Sequence, residues 1–491
     1  MTNKVEVPEL GLIALLRYAW RQLTSMRTAL ILLLLLGVAA IPGSLLPQRS
    51  QNPMAVRDFY RNNPDLAKIL DRLSGFDVYA SPWFSAIYIL LFISLIGCVL
   101  PRTFEHFKAM RALPPSTPRN LIRMESYTSF QVRGDELEVA KKWFIKNRFR
   151  IREENGALSA EKGYLRETGN LFFHLALILI LVGVSFGALF GFRGDSIINV
   201  GERFINVATS YDSLNYGKLV NESRLEPFQI EVDKFVAKYD PVTNAPQDYT
   251  AYVTITQADG TKREKREIKV NSPLTFGNTR VYLQANGYSP VVTVRDSKGN
   301  VALQGAIPFL PQDSNLRSIG AIKVPDADPQ IGFVSSFLPT FSRDPRLGGV
   351  SVFPEALDPK LLFSIWQGDL GLDTGIPQSV YRIDTSDMTR IGLNSIRPGE
   401  TFTFAQGSIT LEGYVSWVNL QIVDDPGKSY SLIGGIVAIL GLLASLFGRR
   451  RRIWVRVTQT GEVEVAGLAK NGAPGLDEEM ARLVSYLKEE R

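Results

Sequence analysis

The chain has 491 residues, 45% of them apolar and 21% charged, with a formal net charge of +6, two histidines and one cysteine. A lone cysteine excludes an intrachain disulfide, dithiol cycling through a Cys-x-x-Cys pair and covalent haem attachment through Cys-x-x-Cys-His. The lysines and arginines gather at the ends of hydrophobic runs instead of forming an aromatic-interleaved basic patch, which argues for a lipid bilayer and against nucleic acid as a partner.

In chain order, Leu10-Gly11-Leu12-Ile13-Ala14-Leu15-Leu16 followed by Arg17, Trp20 and Arg21 predicts a helix along the inner membrane interface, within a cytoplasmic or interfacial segment 1–28. The run 29–47 then enters the bilayer. Pro42-Gly43-Ser44-Leu45-Leu46-Pro47 lacks a small-x-small cleavage pattern, so this run reads as a retained anchor and not as a secretory signal. The loop 48–82 has helical spacing in Met54, Val56, Phe59 and Tyr60 and again in Leu66, Ile69, Leu70 and Leu73, predicting short amphipathic helices. Trp83 marks the outer interface of a second span, 83–100, which Pro101-Arg102 closes at the inner face.

In segment 101–169, residues 127–132 alternate as a strand, 136–147 are helical and 149–153 alternate again, a small α/β element. Residues 170–192 form the third span. Beyond it the chain breaks into short β-rich runs such as 249–256, 267–270, 281–283 and 291–294, with Ala258-Asp259-Gly260 as one of the turns. This spacing predicts an all-β domain, sandwich or barrel-like, over 193–429. A fourth span, 430–447, leads into a tail, 449–491. Each hydrophobic run is close to the ~20 residues that a helix needs to cross ~30 Å of hydrocarbon.

Orientation follows from the flanks. Arg17, Arg21 and Arg27 precede the first span; Arg102, Lys108, Arg111, Arg119 and Arg123 follow the second; Lys162 and Arg166 lead into the third; Arg449, Arg450, Arg451 and Arg452 follow the fourth. Loops rich in these residues stay in the cytoplasm, which puts both termini and 101–169 inside and 48–82 and 193–429 outside. The expected architecture is a polytopic α-helical membrane protein with four transmembrane helices and a large all-β extracytoplasmic domain.

His174 lies inside the third span. An imidazole in hydrocarbon is costly without a partner, so it is a site candidate, and haem iron is one ligand that would suit it. The structural alternative is a histidine bonded to a helix carbonyl or reaching toward the inner interface. Gly183, Gly187 and Gly191 form two overlapping Gly-x-x-x-Gly motifs on another face, where a second helix is expected to approach. His106 reads as a solvated residue of a basic loop, and Cys98 as a small apolar packing residue. With no histidine in 193–429, a Ser-His-Asp arrangement or a His-ligated zinc site is excluded there. Asp369 and Asp373 sit in a Gly-rich run that suits turns better than acid–base chemistry.

Several stretches together resemble the ResB family of the System II route of cytochrome c maturation. They are Pro42-Gly43-Ser44-Leu45-Leu46-Pro47-Gln48, Ser81-Pro82-Trp83-Phe84, Ser94-Leu95-Ile96-Gly97-Cys98-Val99-Leu100-Pro101-Arg102, Glu161-Lys162-Gly163 and Glu167-Thr168-Gly169-Asn170-Leu171-Phe172-Phe173-His174-Leu175. In the outer domain, Tyr211-Asp212-Ser213, Val281-Tyr282-Leu283 and Asp425-Pro426-Gly427-Lys428 extend the likeness. The resemblance implies a bacterial plasma-membrane protein with four spans and a large outer domain before the last. It makes His174, which matches the family's third-span histidine, a candidate axial haem ligand, holding haem b transiently and sharing it with a partner. That partner is a ResC-like membrane protein with a tryptophan-rich outer motif, and the acceptor is apocytochrome c. The six tryptophans here are scattered and no histidine lies outside, so the resemblance implies one subunit of a bipartite synthetase, with no catalytic residue of its own assigned. The competing expectation is a scaffold that assembles the partner without ligating haem; a solute transporter or channel fits poorly with one ionisable intramembrane residue.

Overall fold

The computed structural model describes residues 11–49, 51, 53–131, 135–257, 263–346, 348–372, 379–447, 450–469 and 475–489. Among these the helices are, in chain order, α1 (Leu12–Leu23), α2 (Met26–Leu45), α3 (Pro53–Asn62), α4 (Pro64–Arg72), α5 (Pro82–Arg111), α6 (Glu136–Lys146), α7 (Leu165–Phe190), α8 (Lys428–Phe447) and α9 (Leu476–Glu489). Helices α2, α5, α7 and α8 are long and apolar enough to cross a membrane. The chain is a polytopic helical membrane protein with a large all-β region. It divides into two compact units, residues 1–184 with 428–491, and residues 185–427.

In the first unit, local sequence sets the helix starts. Ser25 caps α2 by accepting from the Thr28 N–H at 3.2 Å, and Ser81 caps α5 by accepting from the Phe84 N–H at 3.2 Å, with Pro82 in the first turn. Helix α5 does not end at Pro101, where the sequence reading closes the span, but runs to Arg111. A proline removes one helix hydrogen bond and bends the helix without having to stop it. At 30 residues, α5 is ~45 Å long, so its last turns, with Arg102, Lys108 and Arg111, outrun a ~30 Å hydrocarbon layer. Ser94 Oγ donates to the Leu23 carbonyl at 2.6 Å and Cys98 Sγ to the Thr24 carbonyl at 2.8 Å, satisfying two carbonyls that the end of α1 leaves open. Cys98 is therefore half-buried and bonded, not simply an apolar filler. Between them Gly97 lies against Thr24, whose side chain occupies the space of a Cβ at position 97.

The segment between α2 and α5 folds α3 and α4 around Val56, Ala67 and Phe76, with Phe59, Tyr60 and Leu70 against them. Of the second predicted apolar set only Leu70 packs inward; Leu66, Ile69 and Leu73 are exposed, because Ala67 supplies the close approach instead.

A five-stranded antiparallel sheet completes this unit, in the order Ser126–Gln131, Glu462–Ala469, Arg451–Val457, Ala157–Lys162, Arg150–Glu154. The tail beyond α8, to which the sequence reading assigns no elements, thus supplies the two central strands and α9. Alternation sorts the strand Arg451–Val457: Ile453 and Val455 join Phe144, Leu158, Val465 and Leu483 under α6 and α9, while Trp454 packs with Leu121 and Ala466 on the opposite face.

The second unit is built on two 18-residue strands, Thr279–Asp296 and Gly407–Asp424, paired antiparallel along their length. The runs 281–283 and 291–294, predicted as separate strands, are parts of the first; register shifts at Leu283/Ala285 and Val291/Val292 absorb the break between them. The long pair serves two cores. Val292, Val294, Ile409 and Leu411 pack with Phe309, Ile322, Phe333 and Phe363 of the sheet that contains Ser318–Val324, Ile331–Leu338 and Lys360–Gln367. Val281, Val418, Leu420 and Ile422 pack with Ile230, Val253 and Ile268 of the sheet that contains Phe228–Tyr239, Pro246–Gln257 and Arg263–Lys269.

Candidate functional site

Helix α7 forms over an apolar run, Leu171 to Phe190, interrupted by the polar side chains of His174 and Ser185, and small residues decide its neighbour. A Cβ at Gly441 of α8 would lie 2.7 Å from the Phe173 nitrogen, one at Gly169 2.5 Å from the Gly441 carbonyl, and one at Gly434 2.7 Å from Ile180. The two backbones touch through Gly169, Phe173, Ala176 and Ile180. This is not the predicted glycine stripe. Gly187 instead makes room for the Asp425 carboxylate and Gly191 for the Asp424 carbonyl, where the chain comes back into α8. At about 100° per residue, His174 is roughly 130° around α7 from the α8 contact, so the α8 interface leaves its face open.

The imidazole is half-buried and its geometry is defined. The Asn170 carbonyl, one turn earlier, lies 2.7 Å from His174 Nδ1. A carbonyl only accepts, so Nδ1 carries the proton and donates, and in uncharged imidazole Nε2 then keeps its lone pair. Among the described residues nothing bonds Nε2. The Phe173 ring stands edge-on at 5.3 Å and 90°. A helix-carbonyl bond, the structural alternative for this residue, is thus present, and it orients the ring as outer partners orient metal-ligating histidines.

His106 departs from expectation. It is on α5, not in a loop, and its side chain is only 8% exposed. Nε2 is 2.8 Å from Thr168 Oγ1 and Nδ1 3.8 Å from Glu167, with the Tyr164 ring at 6.2 Å. The reason is the length of α5, which carries His106 past Pro101 to the first turn of α7. Sequence reasoning also passed over the charges beside it. The Glu161 carboxylate, 1% exposed, accepts from Arg450 Nε, from Arg452 Nε at 2.9 Å and from Tyr164 Oη at 2.7 Å, while Arg450 Nη1 reaches Glu167 at 3.1 Å. Burial pushes the Glu161 carboxyl up, but the bonds from Arg450, Tyr164 and Arg452 prevail and hold it below its ordinary 4.5. The Glu161-Lys162-Gly163 stretch and the arginine run after α8 were the available signals, yet nothing in the sequence pairs them.

An imidazole with a free ring nitrogen is a donor that a haem iron could use. Among the two histidines and the cysteine, His174 Nε2 is available, whereas His106 Nε2 is engaged by Thr168 and Cys98 Sγ by the Thr24 carbonyl. No cluster of three or more metal-ligating side chains occurs among the described residues. His174 is therefore the residue that would hold a haem iron. In the β unit Asp369 closes a turn, accepting from the Gly371 N–H at 2.7 Å, and Asp373 lies outside the described residues.

These sites fall inside one continuous match, since the profile of the ResB-like family covers residues 26–481. The chain belongs to the ResB-like family. Its similar proteins include the cytochrome c biogenesis protein CcsB of Prochlorococcus marinus (strain NATL1A), 24% identical over 477 residues that span 95% of this chain and 97% of the relative. CcsB of Gloeobacter violaceus is 25% identical over 489 residues, 96% of this chain and 91% of the relative. CcsB of Synechococcus sp. (strain CC9311) is 26% identical over 491 residues, 97% and 99% of the two. The likeness takes in all four spans, the β unit and the five-stranded sheet of this ResB-like chain.

Proposed function

We propose that this ResB-like chain is the haem-delivering and apocytochrome-docking subunit of a System II cytochrome c maturation complex in a bacterial plasma membrane. His174 is an axial ligand to haem b in transit, and a ResC-like membrane protein shares the haem and completes the site. The β unit is extracytoplasmic and receives apocytochrome c. The observation that carries this reading is His174 itself, an imidazole within a membrane span, oriented through Nδ1 by Asn170 and with Nε2 free of any bond among the described residues. Full-length likeness to proteins named for cytochrome c biogenesis supports the biological setting. Haem bound there supplies the iron and the vinyl groups to which the acceptor's thiols add; the chain's part is to fix one face of the iron and exclude water from it.

The test is His174→Ala in cells. The expected outcome is loss of c-type cytochromes at normal abundance of the protein, with partial recovery on adding imidazole, which fills a vacated ligand position. A scaffold role predicts the reverse: lowered abundance or assembly and no recovery, since free imidazole cannot repair packing. Normal cytochrome c formation at normal abundance would overturn the ligand assignment.

A further inference from the structure

The β unit contains a cleft of about 240 Å³ lined by residues that include Phe235, Asn286, Tyr288, Glu355 and Ser416. Phe235, Val236 and Ala237 come from the strand Phe228–Tyr239, and Tyr288 and Ser416 face one another across the long strand pair. Glu355 brings the only charge among these lining residues, and its position is built. Three successive carbonyls of its turn are held: Tyr288 Oη donates to Pro354 at 3.1 Å, Thr340 Oγ1 to Glu355 at 2.6 Å and Tyr414 Oη to Ala356 at 3.4 Å. No lysine, arginine or histidine among the described residues pairs with its carboxylate.

Tyr239, 9% exposed, ends the same strand and packs edge-on against Tyr249 at 5.9 Å and Phe353 at 6.2 Å. A half-buried carboxylate without a counter-charge is costly, and a cationic ligand that answers Glu355 stabilises the site.

The cleft is smaller than the ~300–1,000 Å³ of sites that enclose drug-sized ligands, so it suits a single side chain. Its walls suit a cation: Phe235 and Tyr288 bring aromatic rings, Glu355 brings the charge, and Val236 and Ala237 add apolar surface for an alkyl stem. Tyr288 stays an uncharged phenol, because burial and the nearby Tyr414 and Glu355 push its ionisation upward. We propose that this cleft receives an alkylammonium group, the end of a lysine side chain on a partner polypeptide.

The test uses the full-length protein in neutral detergent, with fluorescent tetralysine as probe. Tetralysine binds, its Nε-acetylated form does not, and Glu355→Gln, which keeps the shape and removes the charge, weakens binding about tenfold or more. Phe235→Leu weakens it about threefold by removing one ring face. Glu412→Gln, an exposed carboxylate on the strand Gly407–Asp424, leaves it unchanged. Competition by free cadaverine at equal strength would identify a small diamine as the source of the ammonium group; competition only by peptides identifies a polypeptide. Equal affinity of the unaltered protein and both the Glu355→Gln and Phe235→Leu variants, or tight binding of the acetylated probe, would overturn the assignment.

Discussion

Glu161 shows how much one side chain can hold. It accepts from two arginines of the chain that follows α8 while sitting on a strand that precedes α7, and almost none of it reaches solvent. Glu161→Gln leaves Arg450 and Arg452 without that carboxylate, a loss expected to cost about 3 kcal/mol and to show as a lower melting temperature of the purified protein. Its titration gives the pH dependence. Because the folded carboxyl sits below its ordinary 4.5, the stabilisation is fully present above that value and disappears as the pH falls beneath it. Thermal melts should therefore drop as the pH falls beneath 4.5 in the unaltered protein and much less in Glu161→Gln; parallel acid curves would contradict this. His174 was legible as a site candidate because a histidine inside an apolar run is conspicuous. His106 was not, since its partners Thr168 and Glu167 belong to another helix and no periodicity links positions that far apart.

Among the elements, the hold of α5 on α1 rests on atoms too small to stand out in a sequence. Ser94, Gly97 and Cys98 form one face that receives the end of α1. Gly97→Leu pushes a side chain into Thr24 and breaks both carbonyl bonds; limited proteolysis near residue 24 should then cut faster than in the unaltered protein, and unchanged cutting would show the contact to be dispensable. Gly187→Leu is expected to disturb the entry to α8 through Asp425, not a helix pair, so crosslinking of α7 to α8 near Gly169 and Gly441 should persist in it. The Gly-x-x-x-Gly spacing correctly marked a close approach. What approaches is a loop, and sequence spacing cannot tell a returning loop from a helix. Hydrophobic length located all four spans to within a few residues at the ends Leu45, Pro82, Phe190 and Lys428, because the bilayer fixes that length. It missed the C-terminal end of α5, because Pro101 signals a stop that a helix can pass.

For the whole molecule, the lysine and arginine flanks predict its orientation. Reporter fusions near Asn300 should read outside and those near positions 134 or 472 inside; an inside signal at Asn300 would invert the layout. The all-β texture of 193–429 was readable from short runs and turns, but the pairing of Thr279–Asp296 with Gly407–Asp424 joins strands more than a hundred residues apart, and local pattern carries no information about such pairing. The same holds for the five-stranded sheet, whose strand Ala157–Lys162 lies beside Arg451–Val457.

That last adjacency sets a timetable for synthesis. When Lys162 leaves the ribosome its neighbouring strand is still ~290 residues from being made, a wait of roughly 15–60 s at ~5–20 residues per second. During that interval the strands Ser126–Gln131 and Ala157–Lys162 lack the two strands that lie between them, and Phe144 and Leu158 lack the cover that Leu483 later gives. A chain cut short after the fourth span keeps the four membrane-spanning helices yet leaves Phe144 and Leu158 without this cover, so truncation there is expected to expose the unit to proteolysis without removing a span.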